Sequence, residues 1–360
     1  MSGPNHYGLI LAGGRGTRFW PRSRKRHAKQ VLNVHGERTL IQATVDRLAP
    51  LIPAERIWIL TNEFVRDEIV RQLPDVPPNQ IIAEPAQRNT APAIALAAHI
   101  LHSIDPTAVF GVFPSDHIIG DDLTYIEHLR PAFAAAELGK IAVLGIKARW
   151  PETGYGYIEF PEGTEAGRLE TLAIARFVEK PVAHIAQAYL EAGRYFWNAG
   201  MFFWSAETVL NAMRKHQPKT AALISSLPPF GNADFAGKLT EVFPLCENIS
   251  VDFAILEKSQ DSVVGVACGE FGWNDVGSWN AVYELIPFDE HSNASRSELL
   301  LRDSTGNYVD AGGKLVALLG VKDLIIVDTP DALLVADRSR AQEVGDLVKR
   351  LEAANRHEFL

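Results

Sequence analysis

Along the first 147 residues, short apolar runs alternate with stretches in which apolar residues recur every three or four positions. The run over 7–12 ends in glycines and predicts a buried first strand. Residues 39–48 place Ile41, Val45 and Leu48 at helical spacing. Residues 57–60 predict a second strand, 63–73 a second helix and 81–83 a third strand. An alanine-rich helix is predicted over 90–101, with Asn89 or Thr90 as its cap and Pro92 in its first turn. A fourth strand over 109–113 is halted by Pro114, then a helix over 123–137 leads to a fifth strand over 141–146. Such alternation over short loops predicts an α/β fold with a Rossmann-like, mixed but mainly parallel sheet.

Beyond Arg149 the pattern changes. Residues 155–160 and 172–178 read as strands, 202–204 as a short apolar run, and 206–215 and 251–258 as helical. This part is expected to form insertions on one side of the sheet, a place for a second substrate. From about Glu290 the chain becomes short apolar runs at 299–301, 315–319, 324–327 and 332–335, closed by a helix over 340–353. The expected division is therefore a large domain over 1–289 and a small C-terminal module over 290–360.

Composition narrows the class. The chain has 360 residues, 47% hydrophobic and 22% charged, as soluble globular proteins do. Its longest apolar runs are too short to span a bilayer, and the first six residues lack the pattern of a signal peptide. The only cysteines, Cys246 and Cys268, predict packing roles in a reducing, cytoplasmic setting. A formal net charge of -9 disfavours nucleic acid as a partner. Yet seven basic residues and no acidic one fall between Arg15 and Lys29. A bare cluster of that kind is as readily a solvated face; its place after a strand and a glycine loop points to a polyphosphate.

That loop, Gly13-Gly14-Arg15-Gly16-Thr17-Arg18, offers backbone N–H groups and two guanidinium forks to phosphate oxygens. It is not a Walker loop, which ends in Gly-Lys-Ser/Thr, nor a Rossmann fingerprint, whose third glycine is replaced by Phe19. Asp116 falls just past the fourth strand, where α/β sheets bind ligands, although a lone aspartate after Pro-Ser is more often a turn residue. By themselves Glu179-Lys180 read equally as a surface ion pair and Asp252 as a helix cap. The tryptophans at 197, 204, 273 and 279 read as core, and no histidine spacing suggests a transition metal.

The loop continues as Phe19-Trp20-Pro21-Arg22-Ser23-Arg24, with Lys29-Gln30 following. Further blocks come in order: Glu84-Pro85, Arg88-Asn89-Thr90-Ala91-Pro92-Ala93, Pro114-Ser115-Asp116-His117, Gly154-Tyr155-Gly156-Tyr157-Ile158, Phe177-Val178-Glu179-Lys180-Pro181, Trp197-Asn198-Ala199-Gly200-Met201 and Trp273-Asn274-Asp275-Val276-Gly277-Ser278-Trp279. Together they resemble the sugar-nucleotide pyrophosphorylases, and among these the bacterial mannose-1-phosphate guanylyltransferases. Ala28 departs from the pattern, which usually has proline before the lysine.

The resemblance implies transfer of GMP from GTP to α-D-mannose 1-phosphate, giving GDP-mannose and pyrophosphate, with Mg²⁺ as cofactor. It makes Arg18, Lys29 and Lys180 the catalytic cations and gives Mg²⁺ to Asp116 and Asp275. It assigns the nucleotide to Leu11, Ala12, Gly13, Gly14, Arg15, Gly16, Thr17, Glu84, Asn89, Thr90 and Ser115, with Glu84 the available acceptor for guanine donors. Gly154, Tyr155, Glu179, Lys180, Asn198 and Asp252 are the expected sugar-phosphate residues. The C-terminal module resembles a short left-handed β-helix, which implies a homodimer; its exposed strand edges give a physical reason for pairing.

Overall fold

The computed structural model describes residues 5–360, so most of the stretch read for a targeting signal lies outside the described residues. In the first half, β1 (His6–Ala12), α1 (Leu40–Leu48), β2 (Ile57–Asn62), α2 (Arg66–Gln72), β3 (Ile81–Glu84), α3 (Thr90–Ile104), β4 (Val109–Pro114), α4 (Asp122–Glu137) and β5 (Ile141–Lys147) follow the predicted alternation. Thr39 starts α1 as its cap: its hydroxyl accepts from Gln42 while the Gln42 side chain accepts from the Thr39 N–H, a capping box. Asn89, not Thr90, caps α3. That helix is apolar almost all round because the sheet and two later helices, Ala206–His216 and Pro218–Ser225, cover most of it.

The middle of the chain supplies β6 (Tyr157–Glu159), β7 (Leu172–Ala173), β8 (Arg176–Val178), α5 (Ala183–Ala192), β9 (Tyr195–Ser205), α6 (Ala206–His216), α7 (Pro218–Ser225), α8 (Phe235–Val242), α9 (Val251–Ala254), β10 (Val263–Cys268) and α10 (Trp279–Leu285). The expectation of insertions on one side is corrected here. The sheet runs β3-β2-β1-β4-β9-β5-β10-β7, so β9 fills its centre and β10 extends it beyond β5. β9 lies antiparallel between β4 and β5, and β10 is parallel to β5. Only three of the eleven residues of β9 had shown as an apolar run. Buried on both faces, the strand has no alternation to read, and Asn198 interrupts it. The single strand expected over 172–178 is two short ones, β7 pairing with β10 and β8 with β6. The helix expected over 251–258 is one turn, α9, followed by a 3₁₀ turn.

The C-terminal module contains β11 (Ala294–Ser295), β12 (Leu299–Arg302), β13 (Tyr308–Asp310), β14 (Val316–Leu319), β15 (Leu324–Asp328) and β16 (Leu333–Asp337), in two small, mainly parallel sheets. Stacked short parallel strands make it β-helix-like. A 3₁₀ stretch, Arg338–Glu343, then runs into α11 (Val344–Ala353), where one continuous helix had been expected. No helix among the described residues is long and apolar enough to cross a membrane.

Candidate active site

The glycine–arginine loop leaves β1 at the edge where β1, β2 and β4 end together. Its first carbonyls are already occupied: Ala12 O accepts from Gln30 Nε2 at 2.6 Å and from Thr61 Oγ1 at 2.9 Å. Leu11 O accepts from the Ser115 N–H at 3.2 Å, which ties the loop after β4 to β1. Gly16 has φ 61°, and a Cβ there would stand 2.5 Å from the Lys29 Cβ. Only glycine allows the loop to fold over the lysine so closely.

Lys29 is the centre of the site. Its side chain is 6% exposed, and Nζ donates to Asp116 Oδ2 and to the Asp275 carbonyl, both at 2.9 Å. The two aspartates meet because Ile118, two residues past Asp116, exchanges backbone hydrogen bonds of 2.8 and 3.0 Å with Asn274. Beyond Asp275, Val276 is buried with φ 46°, a costly conformation for a β-branched residue, held by a 2.7 Å bond from its N–H to Asn274 Oδ1. Asp275 Oδ1 accepts from the Tyr155 hydroxyl at 2.7 Å. Burial alone would raise the Asp116 carboxyl; the ammonium of Lys29, with His117, holds it below its ordinary value. Burial likewise lowers His117, against the opposing pull of Asp116 and Asp275. Its Nδ1 lies 3.2 Å from the Trp273 indole N–H and accepts from it.

Two cavities flank this centre. One of about 300 Å³ is lined by Gly13, Arg15, Lys25, Asn62, Phe64 and Glu84 through Gln87. Glu84 is its unusual member. Its Oε1 is buried without a hydrogen-bond partner, and burial pushes the carboxyl up to about 8. The other cavity, about 590 Å³, is lined by Arg18, Arg149, Gly154, Tyr155, Trp273, Asp275 and Gln342 among others.

A third cluster lies beyond Tyr155. Lys180 N–H donates to Tyr155 O, and Asn198 N–H to Gly156 O, across the β6–β8–β9 corner. Glu179 Oε2 and the Asn198 Cβ fill the space beside Gly156 that any side chain would need. Asn198 Nδ2 donates to Asp252 Oδ1 at 3.2 Å, and Lys180 Nζ to Glu179 Oε1 at 2.8 Å. Burial, then repulsion by Glu179, pushes Asp252 up to about 6. Ser250 holds the cap position of α9, and Asp252 sits in its first turn.

The structure thus gathers Arg18, Lys29, Asp116, Tyr155 and Asp275 in one place, and Glu179, Lys180, Asn198 and Asp252 in an adjoining one. Two expected nucleotide residues have local work instead. Asn89 Oδ1 accepts from the Thr90 N–H, and Thr90 Oγ1 accepts from Val251 N–H at 2.9 Å; neither lines the cavity of Glu84. Ser115 is 3% exposed and packs against the strand end. The basic stretch is also divided: Arg22 pairs with Asp310 and Arg24 with Asp331, both in the C-terminal module. Gln30, Arg149 and Gln342 were not foreseen. Gln30 adjoins Lys29, whereas Gln342 is brought to Arg18 from 324 residues away, with no local sequence signal. Trp197, Trp204, Trp273 and Trp279 are core residues as expected, and both cysteines are buried free thiols.

Comparison with known proteins identifies the family. Residues 7–292 match the nucleotidyl transferase family, and residues 298–351 match the MannoseP isomerase/GMP-like beta-helix domain. The xanthan biosynthesis protein XanB of Xanthomonas campestris pv. campestris is 40% identical over 97% of this chain and 74% of its own length. The mannose-1-phosphate guanylyltransferase of Escherichia coli K12 is 39% identical, over 98% of this chain and 74% of its own. A Thermus thermophilus structure described as a mannose-1-phosphate geranyltransferase superposes with a TM-score of 0.85 at 34% identity, covering 97% of this chain and 99% of that one. The chain belongs to the nucleotidyl transferase family, and it carries that family's fold together with a C-terminal β-helix domain.

Proposed function

We propose that this protein transfers GMP from GTP to α-D-mannose 1-phosphate, releasing pyrophosphate and forming GDP-mannose. The observation that carries the reading is the buried Lys29 ammonium, held between two aspartate segments beneath a glycine–arginine loop. Both reactants are anionic, so the barrier is mainly charge repulsion and alignment, which fixed cations and dipoles relieve.

Guanine takes the 300 Å³ cavity, where the unpartnered Glu84 oxygen accepts from its ring donors. The residues 11–17 and Arg15 follow the triphosphate, with Ser115 supporting the strand end. Arg18 and Lys29 face the phosphates, and Lys180 holds the attacking sugar phosphate. Glu179, Asn198 and Asp252 accept from or donate to sugar hydroxyls, beside Gly154 and Tyr155. Asn89 and Thr90 act on the nucleotide indirectly, Asn89 by capping α3 and Thr90 by tying its start to Val251. The sugar-phosphate oxygen attacks the α-phosphorus and the pyrophosphate oxygen leaves on the opposite side. The displacement calls for no nucleophile from the chain, and Ser115 is buried without a histidine partner among the described residues.

The donor set suits Mg²⁺. Lys29 ties the Asp116 carboxylate to the Asp275 backbone carbonyl, and each aspartate keeps a carboxylate oxygen free of side-chain hydrogen bonds among the described residues. Mg²⁺ binds through one or two carboxylates and substrate phosphates. Held by Asp116 and Asp275, it would supply charge neutralisation on phosphate oxygens.

Residues 1–289 form the catalytic domain and 290–360 the dimerising module. Leu300 and Leu319 are 62% and 70% exposed on β12 and β14, an apolar face that a second copy would cover. Two free thiols suit a cytoplasmic enzyme. Purified protein with GTP, mannose 1-phosphate and Mg²⁺ should release pyrophosphate. Turnover of a different nucleotide or sugar phosphate, with none of this pair, would refute the assignment.

A further inference from the structure

The C-terminal helix lies directly on the glycine–arginine loop. A Cβ on Gly345 would stand 3.3 Å from Thr17 Oγ1 and 3.7 Å from Arg18 Cγ, so nothing separates the first turn of α11 from the loop. Just before that turn, Gln342 Oε1 accepts from Arg18 Nη1 at 2.5 Å. The same Nη1 would stand 3.6 Å from a Cβ on Gly277, and that Cβ would be 3.2 Å from Asp275 Oδ2. The guanidinium is therefore held across the 590 Å³ cavity, with Gln342 on one side and the Asp275 segment on the other. Arg18 has no other hydrogen-bonding side chain among the described residues.

Other side chains dock the module as well, among them Arg15, whose Nη2 donates to Glu352 Oε1 of α11 at 2.6 Å. Phe19, Trp279, Tyr308 and Val344 share one buried apolar cluster, and Trp20 Nε1 donates to Phe359 O at 2.9 Å. Gln342 itself is exposed. The amide also has the right chemistry. A neutral acceptor orients a guanidinium and leaves its charge for phosphate, whereas a carboxylate would compete with phosphate for it.

We infer that Gln342 is a positioning residue for Arg18, so that the C-terminal module completes the catalytic site of its own chain. This rests on the functional reading above. Gln342→Ala should lower kcat about tenfold, a loss of transition-state stabilisation, with the KM for mannose 1-phosphate and the Tm unchanged. Gln342→Glu should instead raise the KM for GTP about tenfold, most strongly at low ionic strength. In an Arg18→Ala background both changes should be silent, because the interaction they alter is gone. Wild-type kinetics in both variants, or the same losses persisting without Arg18, would overturn the inference. Should the wild type not turn over GTP with mannose 1-phosphate, the functional reading fails, and inorganic pyrophosphate binding measured by calorimetry decides the role of Gln342. Binding weakened severalfold by Gln342→Glu but not by Gln342→Ala supports it; equal affinities, or no binding at all, overturn it.

Discussion

The two sides of the cleft are built differently. On the phosphate side the lysine is 6% exposed and bridges two segments distant in sequence, Asp116 and Asp275. On the proposed sugar side Lys180 is 60% exposed and, among the described residues, pairs only with its neighbour Glu179. Lys29 is thus neutralised by Asp116 before substrate arrives, while Arg18 meets only the neutral Gln342 amide. The sugar side holds two carboxylates, Glu179 and Asp252, that repel each other, with one amide between them and Asp252 pushed up to about 6. On the proposed assignment, preorganisation sits where charge would develop in the reaction. Acceptors short of donors sit where a sugar would bring hydroxyls.

The strongest way to break this comparison is to remove its buried lysine. Lys29→Ala should cut kcat/KM by about a thousandfold or more and lower the Tm, since Asp116 is left without its cation. Steady-state kinetics and a thermal melt read both at once, and a fully active, equally stable variant would end the claim of a welded phosphate side. Next in size is Glu84, whose buried Oε1 has no hydrogen-bond partner among the described residues. Glu84→Gln should reduce the preference for GTP over ATP by roughly 10- to 100-fold, measured as a ratio of kcat/KM values.

The sugar side should respond more mildly. Lys180→Ala is expected to raise the KM for mannose 1-phosphate about tenfold while leaving the Tm unchanged, because an exposed pair adds little stability. The smallest effect concerns Asp252. Its carboxyl keeps a proton up to about pH 6 in the folded chain, against an ordinary value of 3.8. Between those values the folded chain binds more protons than the unfolded one, so this group costs stability as pH rises and the full cost is present above pH 6. Asp252→Asn should raise the Tm by about 2 °C at pH 8, and the gain should fade as pH falls below 6. A gain that grows toward acid would contradict the assignment.

The first five strands were legible in the sequence because a parallel sheet covered by helices leaves short apolar runs between amphipathic stretches. The middle strands were not. β9 is buried on both faces and carries Asn198 within it, so neither alternation nor an unbroken apolar run marks it. The run Val263–Cys268 did carry a strand signal, but it follows segments too irregular to suggest that the sheet resumes there. The glycine–arginine loop stood out because its pattern is local, whereas Lys29 and Glu179-Lys180 were singled out only by the family resemblance. Asp116 and Asp275 looked like turn residues until the Ile118–Asn274 bridge joined them. The division of labour among the basic residues was hidden, because sequence shows the charge of Arg22 and Arg24 but not the distant Asp310 and Asp331 that use it.

The central claim is that fixed cations align two phosphates for a single displacement, with no nucleotide held covalently by the protein. The most direct measurement uses GTP made chiral at its α-phosphorus with sulfur, followed by determining the configuration of the GDP-mannose analogue formed. One in-line displacement inverts the phosphorus, and inversion is the predicted result. Retention would require a second displacement through a nucleotidylated side chain and would contradict the account.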